Sequence, residues 1–360
     1  MSLKVSIILK IIKSHLYLNQ GEIMYKSIEP ELAELRDQLG QSPLVDIFTG
    51  IHYVFYQVAP GHGEPLVHEY ILKTNYKLNG IFLHKINGSI YYVMKLKDNP
   101  IHIVIEERKE GVLKYPRLVG LAYEVTDLDF SRNVLKQLNI PFLETATGIV
   151  TEPVSGFGDT FAYVEAKGID WFQSEEFDQQ EINPLKFKPD MESAKYLIKI
   201  GGIDHIAYRI RVNDVKTAAK NLMLLTGYRF SECYTIGTQS AETMVFRWGD
   251  KKPAIVASFG WENTSVVWQY VEKYGPRVHH TAFYTEDVLN VVDYQMKQHI
   301  PFTTEKMIGS KDRGILQIFS KPSLYHHEIT EYIQRFHGFT GFFDKGNVAD
   351  LMRSTKEFNK

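Results

Sequence analysis

Short apolar runs alternate along the chain with stretches whose apolar positions recur every three to four residues. The first pattern predicts buried strands and the second amphipathic helices. Gly120-Leu121-Ala122-Tyr123 opens one such run, which closes at Thr126-Asp127, an acidic helix start. An amphipathic helix and a Pro-opened strand at Ile140-Pro141-Phe142 follow. The same order recurs at His280-Thr281-Ala282-Phe283, Glu286-Asp287 and Ile300-Pro301-Phe302, always offset by 160 residues. A second pair opens each half, Gly50-Ile51-His52-Tyr53-Val54-Phe55-Tyr56 beside Gly202-Ile203-Asp204-His205-Ile206-Ala207-Tyr208. After the second copy, Asp214 to Leu225 reads as an amphipathic helix with Gly227 at its C-cap. Strands are expected at Arg229–Thr235, Thr243–Trp248 and Ala254–Phe259.

The pattern predicts four similar units of strand, helix and several strands, two in each half, and hence an α+β fold. Residues 1–45 are expected to form an N-terminal extension and helix, and 46–170 the first domain. Residues 171–197, with Pro184 and Pro189, read as a linker and 198–360 as the second domain. A closing helix is expected over Val348 to Phe358.

Composition narrows the function classes. A length of 360 residues suits two domains with cores of their own. The formal net charge of −2 provides no electrostatic footprint for nucleic acid or an anionic membrane. The single cysteine, Cys233, rules out an intrachain disulfide and any multi-thiolate zinc site, and its strand setting points to a structural thiol. The opening MSLKVSIILKIIKSHLYL is interrupted by Lys10 and Lys13, short of the ~20 apolar residues of a membrane span. With no small-residue cleavage site after it, a cytoplasmic protein is expected, with Met24 as an alternative start. No Gly-x-Ser-x-Gly elbow, GxGxxG or P-loop occurs, so a serine hydrolase or a nucleotide cofactor has no footing.

Four such units resemble the vicinal oxygen chelate superfamily. The resemblance implies paired units curled into open barrels of mixed strands, one of which surrounds a metal. In that family the ligands come from the first strand of each unit and from a last strand. The C-terminal half matches with Asp204-His205-Ile206, His279-His280-Thr281-Ala282 and Glu328-Ile329-Thr330-Glu331-Tyr332. The 160-residue register selects His280 over His279, since Gly120 is its partner. Period-two alternation puts Ile329, Glu331 and Ile333 on one face, selecting Glu331 over Glu328. Taken singly, each is an ordinary strand residue; their joint placement points to metal ligands. Two imidazoles and a carboxylate form the facial triad of non-haem Fe(II) oxygenases. The equivalent N-terminal positions, read as Tyr53, Gly120 and Tyr163, are no ligand set, so only one half is expected to hold metal.

Within the superfamily the chain is similar to the 4-hydroxyphenylpyruvate dioxygenase group. The motifs are Asp204-His205, Val278-His279-His280-Thr281-Ala282 and Gly314-Ile315-Leu316-Gln317-Ile318-Phe319-Ser320-Lys321-Pro322. Glu331-Tyr332-Ile333-Gln334-Arg335 and Gly341-Phe342-Phe343-Asp344-Lys345-Gly346-Asn347 follow. The resemblance implies an Fe(II)-dependent dioxygenase that oxidatively decarboxylates an aromatic or other 2-oxo acid and hydroxylates it with O₂. It implies Gln317 as a polar pocket residue and Phe319 and Phe342 packed against substrate. Phe343 and Asn347 join them in the tail, and the terminal helix is a lid. Phe342 and Phe343 could equally serve only to dock that helix. The family tends to associate, so a homo-oligomer is an expectation.

The chain also departs from the family pattern. His279 replaces the Gln that usually precedes the second ligand, and Ser265-Val266-Val267-Trp268-Gln269 replaces a Ser-Gln-Ile-Gln-type stretch. Ile255-Val256-Ala257-Ser258-Phe259 stands where a Pro-Asn-Glu-Pro-like strand is usual, and Val348 where an aromatic is. Between Phe302 and Gly314 lie only 11 residues. The metal set is intact while the groups that orient substrate are changed, which reopens the substrate's identity. Two other readings stay open. An extradiol-type catechol dioxygenase would use the same ligands, with His279 as acid–base; a non-catalytic member would bind a small molecule and need no metal.

Overall fold

The computed structural model describes residues 16–19, 22–111, 115–145, 148–165, 172, 174–336, 338–339 and 341–359. Residues 1–15, 20 and 21 of the expected N-terminal extension and helix lie outside them. After a short hairpin, β1 (Leu16–Asn19) with β2 (Glu22–Tyr25), comes the helix Glu29–Leu39. The N-terminal half then contributes β3 (Phe48–Val58), β4 (Lys77–His84), β5 (Ile90–Lys95), β6 (His102–Glu107), β7 (Arg117–Val125), β8 (Phe142–Thr145), β9 (Gly148–Thr151), β10 (Thr160–Glu165) and β11 (Phe177–Gln179). They form one nine-stranded sheet in the order β11-β4-β5-β6-β3-β7-β10-β9-β8.

The C-terminal half contributes β12 (Ile200–Arg209), β13 (Arg229–Ile236), β14 (Ala241–Trp248), β15 (Lys251–Gly260), β16 (Arg277–Thr285), β17 (Ile308–Ser310), β18 (Ile315–Phe319) and β19 (Ile329–Arg335). Their order is β13-β14-β15-β12-β16-β19-β18-β17. Each sheet is a pair of units joined at its centre, β3 with β7 and β12 with β16, both antiparallel. Next to each central pair the fourth strand of one unit and the last of the other run parallel, as β15 does beside β12 and β19 beside β16. The repeat in the sequence is thus a repeat of whole strand-and-helix units.

Several elements differ from the sequence reading, among them a helix, Met191–Leu197, inside the expected linker. Phe177–Gln179, within the expected linker, pairs with β4 and extends the first sheet. The helix after β12 runs Val215–Leu225 and ends at Thr226, not at a left-handed Gly227. Thr226 Oγ1 donates to the Leu222 carbonyl at 2.6 Å and so closes the last turn. Gly227 is there for space: a Cβ would meet Phe48 Cδ1 at 2.6 Å. The closing helix starts earlier than expected, Lys345–Ser354, because Asp344 accepts from Asn347 N at 3.0 Å as its N-cap. A short 3₁₀ turn, Lys356–Asn359, follows.

Alternation divides the core in two. Ile206 and Tyr208 of β12 join Val54, Tyr56, Leu121 and Tyr123 in a cluster that runs continuously through both halves. Ala207, between them, joins Val256, Ala282, Phe343 and Val348 in a separate cluster inside the C-terminal barrel. One face of the strand therefore welds the halves and the other lines the site. Polar bonds cross the same seam. Glu328 accepts from Leu118 N at 2.7 Å, and the Tyr163 hydroxyl donates to the Leu225 carbonyl at 2.8 Å. Arg277, also at the seam, donates to the Pro116 carbonyl at 2.7 Å. No described helix is long and apolar enough to cross a membrane.

Candidate metal centre

His205, His280 and Glu331 come from three adjacent strands. Register places His205 against Ala282 across β12 and β16, and Ala282 against Glu331 across β16 and β19. Two irregularities aim the side chains. Ile203 pairs with Phe283 and His205 with Ala282, which leaves Asp204 as an extra residue in β12. Ala207 pairs with His280 and Tyr208 with Val278, which leaves His279 extra in β16. These are β-bulges, and they let neighbouring residues work as pairs at one site.

The ligand atoms of His205, His280 and Glu331 all lie within 4.8 Å of one another. Glu331 Oε2 is 3.1 Å from His205 Nε2 and 3.3 Å from His280 Nε2. His205 Nε2 and Glu331 Oε2 are nonetheless buried with no hydrogen-bond partner. Buried polar atoms that converge without bonding one another need a third party, and this donor set suits a divalent first-row metal.

Each ligand is held from behind. His205 Nδ1 is 3.0 Å from Asp204 Oδ1, and Asp204 Oδ2 accepts from Arg335 Nη1 at 2.7 Å. Arg335 therefore serves Asp204 rather than Glu331. His280 Nδ1 is 2.8 Å from His279 Nδ1. For His280 to offer Nε2 to a metal, its Nδ1 must carry the proton and His279 must accept it. Burial, reinforced by the Arg209 charge, holds His279 well below the usual histidine range, so it is the neutral acceptor required. Glu331 Oε1 accepts from Gln317 Nε2 at 2.7 Å, and Gln317 Oε1 accepts from Asn347 Nδ2 at 3.1 Å.

The electrostatics agree. Burial pushes the Glu331 carboxyl up, but the two imidazoles close to it, His205 first, outweigh it and hold the group down at about 2. Burial depresses His205, yet Glu331 and Asp204 raise it overall; His280 stays lowered by burial. The carboxylate is ionised over the whole working range, as a ligand must be.

Aromatic rings close the site. Phe342 and Phe343 stand 5.5 and 5.2 Å from His205, and Phe319 stands 4.8 Å from His280. His279, Gln317, Phe319 and Phe343 line a cavity of about 40 Å³ beside the ligands, roofed by Val348, Leu351 and Met352 of the closing helix. Phe342 and Asn347 lie behind that wall. Phe342 sits between the guanidinium groups of Arg335 and Arg247, at 4.6 and 5.0 Å, and its amide donates to the Tyr234 hydroxyl at 3.1 Å. Sequence reasoning missed Arg209, Thr243 and Ser258, which also line the cavity. The signal was available for Arg209, four residues beyond His205 on the same strand face. Cys233 is no nucleophile, because burial and then Glu242 push its thiol above the ordinary range.

The N-terminal barrel carries the same two bulges, at His52 and Val119, but no comparable ligand group among the described residues. Tyr53 and Gly120 stand where His205 and His280 stand. The third position is Ala162, not Tyr163: Ala122 pairs with Ala162 just as Ala282 pairs with Glu331. Tyr163 points the other way, to the seam between halves. Gly120 has no room for a side chain, since a Cβ would meet the Thr160 carbonyl oxygen at 3.0 Å. With small residues at two of three positions, this barrel encloses about 530 Å³.

No protein-family model and no curated protein matches the sequence. Solved structures do match the fold. A triple mutant of 4-hydroxymandelate synthase from Streptomyces coelicolor superposes with a TM-score of 0.66 at 15% identity, over 87% of this chain and 100% of that one. A xylose isomerase-like TIM barrel/4-hydroxyphenylpyruvate dioxygenase fusion protein gives 0.63 at 14% identity, over 91% of this chain. The chain spans 57% of that fusion protein's length. The chain has the two-domain, paired-barrel fold of the vicinal oxygen chelate superfamily.

Proposed function

We propose that the chain is an Fe(II)-dependent dioxygenase that oxidatively decarboxylates a 2-oxo acid and hydroxylates it with O₂. The observation that carries this reading is the convergence of His205 Nε2, His280 Nε2 and Glu331 Oε2 within 4.8 Å, two of them buried without a partner. The dioxygenase named in one of the two fold neighbours, and the tail motif that ends at Asn347, support the choice of reaction. Bound iron would supply open positions for the keto and carboxylate oxygens of the substrate and for O₂. His205 and His280 would hold it through their Nε2 atoms, with Asp204 and His279 fixing both tautomers. Glu331 would offset one of its charges. Phe319, Phe342 and Phe343 keep water from the reacting atoms, and the closing helix covers the cavity. The substrate and O₂ are the partners of this reading, which calls for neither nucleic acid nor membrane.

Anaerobic loading with Fe(II), followed by titration with 4-hydroxyphenylpyruvate as a probe, tests the proposal. It expects one iron per chain, a visible charge-transfer band, and O₂ uptake matched by CO₂ release. Absence of tight iron, with His280→Ala binding as much metal as wild type, would overturn it.

A further inference from the structure

Arg209 is not explained by the metal centre. Alternation on β12 puts it on the barrel-facing side with His205 and Ala207, and it lines the same cavity as His280 and Gln317. The residue is only 4% exposed. Its Nη2 donates to Thr355 Oγ1 at 3.0 Å, and the guanidinium lies 4.7 Å over the Tyr270 ring. Its Nη1 is buried and makes no hydrogen bond. Among the described residues no carboxylate lies within ion-pair distance of it. Burial pulls the group down to about 9, the mark of a cation without its anion. Such a charge is expensive unless a counter-ion arrives. Stacking on Tyr270 offsets part of that cost and leaves Nη1 unmet.

Register supplies the rest of the cradle. Arg209 pairs with Ser258 of β15, and Ser258 with Thr243 of β14. The two hydroxyls are 2.8 Å apart, buried, and on the cavity wall. One rung closer to the metal ligands, Ala207, Val256 and Val245 are all apolar. The next rung holds His205. Arg209 starts four residues from His205, about 13 Å of strand, and its own side chain shortens the gap. The barrel face is graded: candidate metal ligands at one end, a short apolar belt, then a cation with two hydroxyls.

We propose that the substrate is a 2-oxo acid bearing a second carboxylate, and that Arg209, with Ser258 and Thr243, binds that distal carboxylate. The 2-oxo acid end rests on the function proposed above; the anion site does not. A carboxylate gives Nη1 its missing acceptor in a charge-assisted bond. A hydrocarbon end would leave it unpaired, and a phenol would meet it without an opposite charge, which is how such a site favours the dicarboxylate.

Two arms separate the claims. In metal-free full-length protein, calorimetric titration with glutarate is expected to show one saturable site. Arg209→Met should weaken it at least about 10-fold, with partial recovery in Arg209→Lys. In the Fe(II)-loaded protein without O₂, 2-oxoadipate should bind about 100-fold more tightly than phenylpyruvate, a gap that Arg209→Met erases by weakening only the dicarboxylate. Thermal melting controls for folding, and Arg209→Met should melt no lower than wild type because it removes an unpaired buried charge. A lower melting temperature with unchanged glutarate binding would make Arg209 a structural cation and overturn the proposal. Inorganic phosphate binding as tightly as glutarate would also overturn it, as a site for any anion. Equal binding of the two oxo acids would overturn the distal-carboxylate proposal. Arg209-dependent glutarate binding with neither oxo acid bound to the iron-loaded protein would keep the anion site and overturn the 2-oxo acid reading.

Discussion

Asn347 Nδ2 donates to Gln317 Oε1 at 3.1 Å, and through Gln317 the closing helix is tied to Glu331. A strand residue, a candidate metal ligand and the closing helix are thereby coupled by two hydrogen bonds. Gln317→Leu cuts both. We expect iron affinity to fall about 10–100-fold, the usual cost of removing a group that orients a ligand. Asn347→Leu should lower iron affinity much less and raise the KM for substrate. Competition with a chelator and steady-state kinetics check the two together.

Glu331 and Glu328 lie three residues apart on and beside one strand but face different chemistry. Glu331→Gln should abolish stoichiometric iron binding. Glu328→Gln should leave it unchanged, since that carboxyl accepts from Leu118 N at the seam. Metal analysis after dialysis distinguishes them, with circular dichroism to verify the fold.

The seam between halves should make stability fall with rising pH. Burial raises Glu328 from 4.5 to about 8, and Asp159 from 3.8 to about 7. Both hold protons in the folded chain that the unfolded chain has released, so folding is progressively disfavoured from about pH 4 up to about pH 8. Below that window the effect vanishes, because both states are protonated. Urea melts at pH 5.5 and pH 8 should show it. Glu328→Gln keeps an acceptor for Leu118 N, and should flatten the dependence and gain on the order of 2 kcal/mol at pH 8.

Glu242 anchors the N-terminal segment. It is fully buried, and accepts from the Tyr25 hydroxyl at 2.7 Å, Ile28 N at 3.2 Å and Thr235 Oγ1 at 2.9 Å, with Ser27 as a further donor. Glu242→Leu strands these donors. A loss of about 2–4 kcal/mol in urea denaturation is expected. Tyr25→Phe, which removes one donor and keeps the stack on Trp261, should cost no more than about 1–2 kcal/mol.

The repeat was legible because it is local. A strand and its following helix are specified by neighbours in sequence, so equal units kept equal spacing, and Gly120 opposite His280 could be read from one offset. Alternation on β19 chose Glu331 over Glu328 for the same reason. The third N-terminal position was misread because that strand has no counterpart at the 160-residue offset: Glu331 corresponds to Ala162, 169 residues earlier. Helix caps were misread where a side chain did the work expected of glycine, as Thr226 does beside Gly227.

What the sequence by itself determined was the set of strands and helices, the pairing of units, and which residue types could bind a metal. Period and composition settle these within a few neighbours of each residue. The tertiary structure decided what each candidate touches. The bulges at Asp204 and His279 depend on a partner strand far away in the chain, and they turn adjacent residues into a candidate ligand and its support. Whether a buried Arg209 meets an anion, an aromatic ring or nothing is likewise set by strands 34 and 49 residues further on, those of Thr243 and Ser258. A one-residue change in register reverses which side chains face the barrel, and no local pattern reports it.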